Sequence, residues 1–429
     1  MQHRHTLLIL ALLVAATAVA QQFDRHFDGR TLRLDYIFAG DTARQHIALD
    51  RMSVLPGWYG KRTRLAELPV EGNGQITVRS AQNGDTLYRN SFSTLFQEWL
   101  TYPEAATTQR SFENVFLVPM PREQVDITVD LRDNRRRVVT TMTHRVDPTD
   151  ILIAHKGERT AAPVVTLQKA ADTTRCIHIA YVAEGYRADE MDTFLSDARA
   201  ATEAIFAHEP FRSTRERFNI VAVESPSQDS DVSHPAQGVW RNTALGSHFD
   251  TFYSSRYLTT LRLSTLHDWL AGVPYEHIIV LVNSSTYGGG GILNSYNLTT
   301  CHQRHFLPVV VHEFGHSFAG LADEYAYDNE PLPMYPHDVE PWEQNITTRV
   351  DFASKWADMV APGTPLPTPL STDTLTATTR VGLFEGAGYS LNGVWRPVQD
   401  CRMRVNSVPD FCPVCQRALR RIIDFYTED

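Results

Sequence analysis

The chain has no long run of charge of one sign. Forty Lys and Arg stand against fifty Asp and Glu, for a net charge of −10. The basic surface that a phosphate backbone selects is therefore missing, which disfavours nucleic acid as a partner. After residue 20 no segment is long and apolar enough to cross a bilayer, which takes about 20 residues. Cysteine is scarce, with Cys176, Cys301, Cys401, Cys412 and Cys415 the whole complement. An odd number leaves at least one thiol free or paired between chains. Cys412-Pro413-Val414-Cys415 is a CxxC, but a structural zinc site wants two more soft ligands and only Cys401 offers itself. The motif does not open a βαβ unit, where a redox CxxC would sit. A structural pairing involving Cys401 and Cys412 is the expectation.

What is present describes an exported, folded, multidomain protein. A hydrophobic content of 42% with 10% aromatics is globular rather than disordered, and 429 residues exceed one ordinary core. Arg4 between two histidines, an apolar run from Leu7 to Val14, and Ala18-Val19-Ala20 before Gln21 have the layout of a signal peptide over 1–20. Its export would make the mature chain periplasmic, surface-held or secreted.

Residues 21–150 read as a β-sandwich domain. Val125, Ile127, Val129 and Leu131 alternate with polar residues, as does Thr31-Leu32-Arg33-Leu34-Asp35-Tyr36-Ile37. Asn83-Gly84 marks a tight hairpin, and Asp133-Asn134 a second turn. This region offers no His, Cys or carboxylate cluster for chemistry. From 151 to 429 strands alternate with helices. Strands are expected at 176–182, 218–223 and 278–282, and helices at 188–207, 262–271 and 413–427. Gly288 to Gly291 lets a backbone approach something closely or forms a loose loop tip. Without a following GK[ST] it is not a phosphate loop. The proline-dotted stretch 325–395 reads as long loops over a rigid body.

The chemistry concentrates in Val311-His312-Glu313-Phe314-Gly315-His316, on a helix expected from about 307 to 319, with Pro308 in its first turn. His312 and His316, four apart, project from one face about one turn apart. Two such imidazoles can reach one zinc ion at about 2.0–2.1 Å. Glu313, offset by about 100°, is better placed to act on a water at the metal than to ligate it. A third protein ligand is needed. On a continuous helix Asp323 would lie roughly 10 Å beyond His316. Gly320 can end the helix in a left-handed turn and bring Asp323 back. Glu324 is the alternative ligand, and His302, His305 and His337 are lesser ones.

At these residues the chain resembles the M64 (IgA peptidase) family of zinc metallopeptidases, on the metzincin side of the zincins. The shared stretch is His312-Glu313-Phe314-Gly315-His316-Ser317-Phe318-Ala319-Gly320-Leu321-Ala322-Asp323-Glu324-Tyr325. Asn242 to Asp250 and the four glycines resemble the family too. The metzincin pattern HExxHxxGxxH is altered here: the glycine comes one residue late and an acid replaces the third histidine. The resemblance implies an N-terminal β-sandwich followed by an α/β (α+β) metzincin-like zincin catalytic domain. It implies that Met403, in Cys401-Arg402-Met403-Arg404, forms a methionine turn beneath the metal. It further implies that an extended peptide lies against an edge strand, for which Gly289 to Tyr296 is the natural stretch.

The expected reaction is hydrolysis of peptide bonds in a peptide or protein, with one catalytic zinc and Glu313 activating the water bound to it. Tyr325, Tyr327 and Arg404 are possible oxyanion stabilisers. Two other classes stay open: an exported binding or adhesion protein with a structural metal, and a zinc amidase acting on cell-wall peptides. Nothing in the sequence indicates oligomeric state or which peptide is cut.

Overall fold

A computed structural model describes residues 23–327 and 334–428. The signal segment, Pro331 and Pro333 lie outside the described residues.

The N-terminal half builds two four-stranded sheets. One runs in the order Arg110–Pro121, Phe27–Gly40, Gln45–Leu55 and Ala154–His155, so its last strand lies just beyond residue 150. The other runs Thr86–Phe92, Gly74–Ser80, Val125–Arg132 and Val138–Val146. Period-two alternation buries Val125, Ile127, Val129 and Leu131, because successive side chains leave opposite faces of a strand. Gly84, at φ +78°, turns the chain between Gly74–Ser80 and Thr86–Phe92. The two sheets meet through aromatic rings: Phe92 lies 6.4 Å from Phe38 and 4.2 Å from Phe116. A short helix, Leu95–Trp99, begins where the Thr94 hydroxyl accepts the Gln97 N–H. Five residues are too few to show a helical period in the sequence.

The second half is organised on a six-stranded mixed sheet, ordered Gly289–Ile292, Tyr296–Thr300, His277–Val282, Ile177–Glu184, Phe218–Val223 and Val164–Gln168. The four inner strands are parallel and both outer ones antiparallel to their neighbours. Strands buried on both faces read as continuous apolar runs, as Ile278 to Val282 does. One face, with Ile179, Tyr181, Ile220, Ile279 and Leu281, packs under the helices Met191–Phe206, Phe306–Ala319 and Pro413–Thr427. The opposite face, with Ala180, Val182, Val221 and Val280, shares a single hydrophobic cluster with the short helix Leu263–Trp269 and the N-terminal sheets.

Polar contacts fasten the two halves together. Buried Arg33 donates to Asp268 at 2.6 Å, Trp342 to Asn73 at 2.9 Å, and Asn294 to the Ser91 carbonyl at 2.9 Å. The stretch 325–395 holds more order than its prolines suggest. Phe384–Ala387 and Ser390–Arg396 form a hairpin, in which Gly386 and Gly388 take positive φ.

Candidate metal centre

The helix Phe306–Ala319 carries Val309, Val310, Val311, Phe314 and Phe318 into the core. Each such burial contributes about 1.5–3 kcal/mol. Pro308 falls in the first turn, where backbone N–H groups have no helical partner anyway. The helix stops at Gly320, at φ 61° and ψ 33°, whose N–H returns to the carbonyls of Gly315 and His316. A side chain there would also strike Trp342, whose ring comes within 2.4 Å of the Cβ position. This left-handed turn is the reversal that brings Asp323 back.

His312 Nε2 lies 3.0 Å from Asp323 Oδ1 and 3.0 Å from His316 Nε2, and His316 Nε2 lies 3.3 Å from Asp323 Oδ1. Ligands at about 2.0–2.1 Å from a tetrahedral zinc stand about 3.3 Å apart, so the triangle has the right size. The chemistry of the donors agrees. His312 Nδ1 is bonded to the Arg402 carbonyl at 3.0 Å, and His316 Nδ1 to the Leu321 carbonyl. A carbonyl only accepts, so both Nδ1 atoms carry the hydrogen. In the neutral rings, both Nε2 lone pairs then face each other and a carboxylate. Three converging acceptors call for a cation between them, a proton in the metal-free protein or a divalent metal in its place, and these residues fit the metal.

The electrostatics point the same way. Burial drives the Asp323 carboxyl up, but the adjacent His316 charge and hydrogen bonds from both histidines hold it well below the usual carboxylate range. Burial pushes His316 down, and the Asp323 charge outweighs this to raise it to about 9. Glu313 is pushed up by burial, against the pull of His312 and His316.

Glu313 sits under the edge strand Gly289–Ile292, and this explains the glycines. A Cβ on Gly289 would stand 2.9 Å from Glu313 Oε1, and one on Gly291 would stand 2.4 Å from the Glu313 backbone oxygen. Gly288 leaves room for the Phe249 ring, 2.5 Å from its Cβ position. The run is thus close packing rather than a loose tip. The stretch Gly289 to Tyr296 is not one strand. It divides into Gly289–Ile292, a turn, and the next strand from Tyr296. Tyr257 forms a bridge at Gly289 on the outer edge.

Met403 is buried, its Sδ 2.8 Å from the Cβ position of Gly315, so only glycine lets the helix rest on it. Tyr325 packs against Tyr327 and Tyr389, at 5.4 Å from each, and burial together with the nearby charges of Asp323 and Glu313 pushes its hydroxyl well above the usual tyrosine range. Arg404 pairs with Asp400. His302 bonds to Asp197 at 2.9 Å, His305 precedes the helix against Tyr287, and His337 packs at Gly393. None of these three joins the metal donors. Glu324 does not join them either. Its Oε1 accepts from Cys415 Sγ at 3.1 Å and from Asn345 Nδ2 at 2.9 Å. Asp323 thus turns to the two histidines and Glu324 to the thiols, in two separate clusters. The expected pairing of Cys401 with Cys412 is also replaced: all five thiols are free, and three of them gather around Glu324.

Two residues at the site carry no motif. Tyr389 donates its hydroxyl hydrogen to Asp323 Oδ2. Glu98, from the N-terminal half, bonds to Tyr257 at 2.5 Å and is pushed by burial up to about 7, within reach of the charges on Asp323, His316 and Glu313. Only the fold brings them near.

A fixed pair of imidazoles with a returning carboxylate is the donor set of a metallopeptidase. The family model described as IgA Peptidase M64 matches residues 165–380 and 373–423, and the model for the Peptidase M64 N-terminus matches residues 22–143. The chain belongs to the M64 peptidase family, and is a peptidase. No curated protein matches it. Among solved structures it is similar to metalloproteinase-II from Bacteroides fragilis, at 11% identity over 70% of this chain and 84% of that one. The TM-score of 0.22 is too low for that likeness to carry an argument.

Proposed function

We propose that the protein is an exported zinc-dependent endopeptidase, with a β-sandwich at 21–150 and a metzincin-like catalytic domain at 151–429. His312, His316 and Asp323 hold the zinc. The observation that carries this reading is the convergence of three acceptor atoms whose imidazoles have already committed their hydrogens to carbonyls.

Zinc held there would supply Lewis acidity, polarising a scissile carbonyl and lowering the pKa of a water. Glu313 takes the proton of the attacking water and delivers it to the leaving amine. Burial raises its pKa, against the pull of His312 and His316, which makes it a stronger base toward the water than an exposed carboxylate. Tyr389 orients Asp323. Tyr325 is a better oxyanion donor than Arg404, which is already engaged by Asp400. Met403 supports the helix from below. An extended peptide would pair along Gly290–Ile292, beyond the point where Tyr257 bridges the edge, with main-chain bonds that tolerate varied sequence.

The test is a cleavage profile on a peptide library with the wild type and Glu313→Gln. Cuts made by the wild type and lost in the variant, with zinc still bound, are expected. Equal cleavage by both would overturn the reading.

A further inference from the structure

We infer that the chain holds a second metal ion, a structural zinc bound by Cys401, Cys412, Cys415 and Glu324. One ligand atom from each of these four residues lies within 4.8 Å of the others, and all four residues are buried. The centre is separate from the peptidase site and goes beyond the function proposed above.

The spacing of Cys401 and Cys415 is that of a metal site rather than a disulfide. Cys401 Sγ and Cys415 Sγ stand 3.8 Å apart. A disulfide brings its sulfurs to about 2.05 Å. Two thiolates on a tetrahedral zinc, each at about 2.3 Å, stand about 3.8 Å apart. Glu324 supplies the oxygen corner: its Oε1 lies 3.1 Å from Cys415 Sγ and accepts from Asn345 Nδ2 at 2.9 Å, while its Oε2 is buried without a hydrogen-bond partner. A buried carboxylate with one oxygen left unpartnered is unfavourable unless a cation joins it.

The surroundings suit thiolates. Cys412 is the N-cap of the helix Pro413–Thr427, and Cys415 stands in its first turn, where the positive end of the helix dipole favours negative sulfur. The Cys412 N–H points at Cys401 Sγ at 3.3 Å, and the Cys415 N–H at Cys412 Sγ at 3.5 Å. Three thiolates and a carboxylate around a dication leave a net charge of about −2 by the charges of these groups. Buried Arg396, whose charge acts on Glu324, offsets part of it. Soft sulfur ligands in a closed tetrahedral set select zinc among the available divalent ions.

The position gives the ion a role. Glu324 follows Asp323, its N–H donates to the Met403 carbonyl at 2.8 Å, and Cys401 lies two residues before Met403. One ion would therefore tie together the loop bearing Asp323, the turn bearing Met403 and the C-terminal helix.

The experiment uses the mature chain purified without reductant or chelator. Zinc is counted per chain in the wild type, in His316→Ala, and in Cys412→Ser/Cys415→Ser. Two, one and one ions are expected. The His316→Ala variant leaves the cysteines intact, so it serves even if the serine variant fails to fold. Its remaining zinc should show sulfur neighbours at about 2.3 Å by X-ray absorption, and thiol titration after denaturation with chelator should find all five thiols. A sulfur-bound zinc in His316→Ala supports the inference even if the wild type holds only that one ion, an outcome that would instead remove the peptidase zinc. No zinc in His316→Ala, or two thiols missing as a disulfide, would overturn it.

Discussion

The Tyr389 hydroxyl donates to Oδ2 of Asp323, while Oδ1 of the same carboxylate faces both His312 and His316. The bond crosses 66 residues of sequence and is backed by the main chain, since the Gly388 N–H donates to the Asp323 carbonyl at 2.9 Å. A partner that orients a ligating carboxylate is typically worth 10–100-fold in metal affinity or activity. Tyr389→Phe should therefore weaken zinc binding by about that factor while the fold is retained. Competition against a chelating dye measures it, and unchanged affinity would show that the bond is incidental.

The glycines beneath the edge strand should separate stability from activity. Gly291→Ala places a methyl group 2.4 Å from the Glu313 backbone oxygen, which neither strand nor helix can easily yield. A loss of about 1–3 kcal/mol is expected from overpacking. Gly289→Ala meets the movable end of the Glu313 side chain at 2.9 Å, so it should reduce turnover with little change in melting temperature. Denaturant unfolding and peptide turnover, measured on both variants, decide this. A larger stability loss at 289 than at 291 would contradict it.

Metal uptake should depend on pH. Asp323 raises His316 to about 9 in the metal-free protein, so at pH 7 the site carries a proton that zinc must displace. Release of about one proton per zinc is expected at that pH, with affinity falling as pH falls. Calorimetry in two buffers of different ionisation enthalpy reads the proton count. Zinc uptake with no proton release would be inconsistent with this electrostatic picture.

Lys61 ties the N-terminal half to the C-terminal helix, with Nζ 2.6 Å from the Glu67 carbonyl and 5.4 Å from the Phe425 ring centre. Burial pushes it from 10.5 down to about 7. As pH falls through this window the unfolded chain takes up the proton first, so stability is lost between pH 10.5 and about 7. Lys61→Met removes that slope. Its melting temperature relative to wild type should rise as pH falls from 10.5 to about 7, against a pH-independent loss of about 1 kcal/mol from the missing hydrogen bond. A difference that does not vary with pH would refute the assignment.

The helix around His312 was legible because its evidence is local: an apolar lead-in, a four-residue spacing and a terminating glycine. The return of Asp323 followed from Gly320 alone. Glu324 was ambiguous because it adjoins Asp323, and sequence does not say which of two neighbouring carboxylates meets which partners. The cysteines gave only a CxxC and one extra thiol. The fourth donor was hidden in Glu324, 91 residues before Cys415. Tyr389 and Glu98 were invisible for a related reason. One sits in a stretch whose prolines mask a hairpin, the other in a region whose strand patterning carries no sign of the distant metal donors. The glycine run left close approach and a loose loop tip equally open, because sequence does not show that the Glu313 helix lies beneath it.

Diffraction from crystals grown with zinc, collected on both sides of the zinc absorption edge, tests the central claim most directly. An anomalous peak about 2.0–2.1 Å from His312 Nε2, His316 Nε2 and an Asp323 oxygen, with the Glu313 carboxylate beside it and not bound to it, is the expected result. No peak among those three side chains, or an ion there ligated by Glu313 in place of Asp323, would contradict the account.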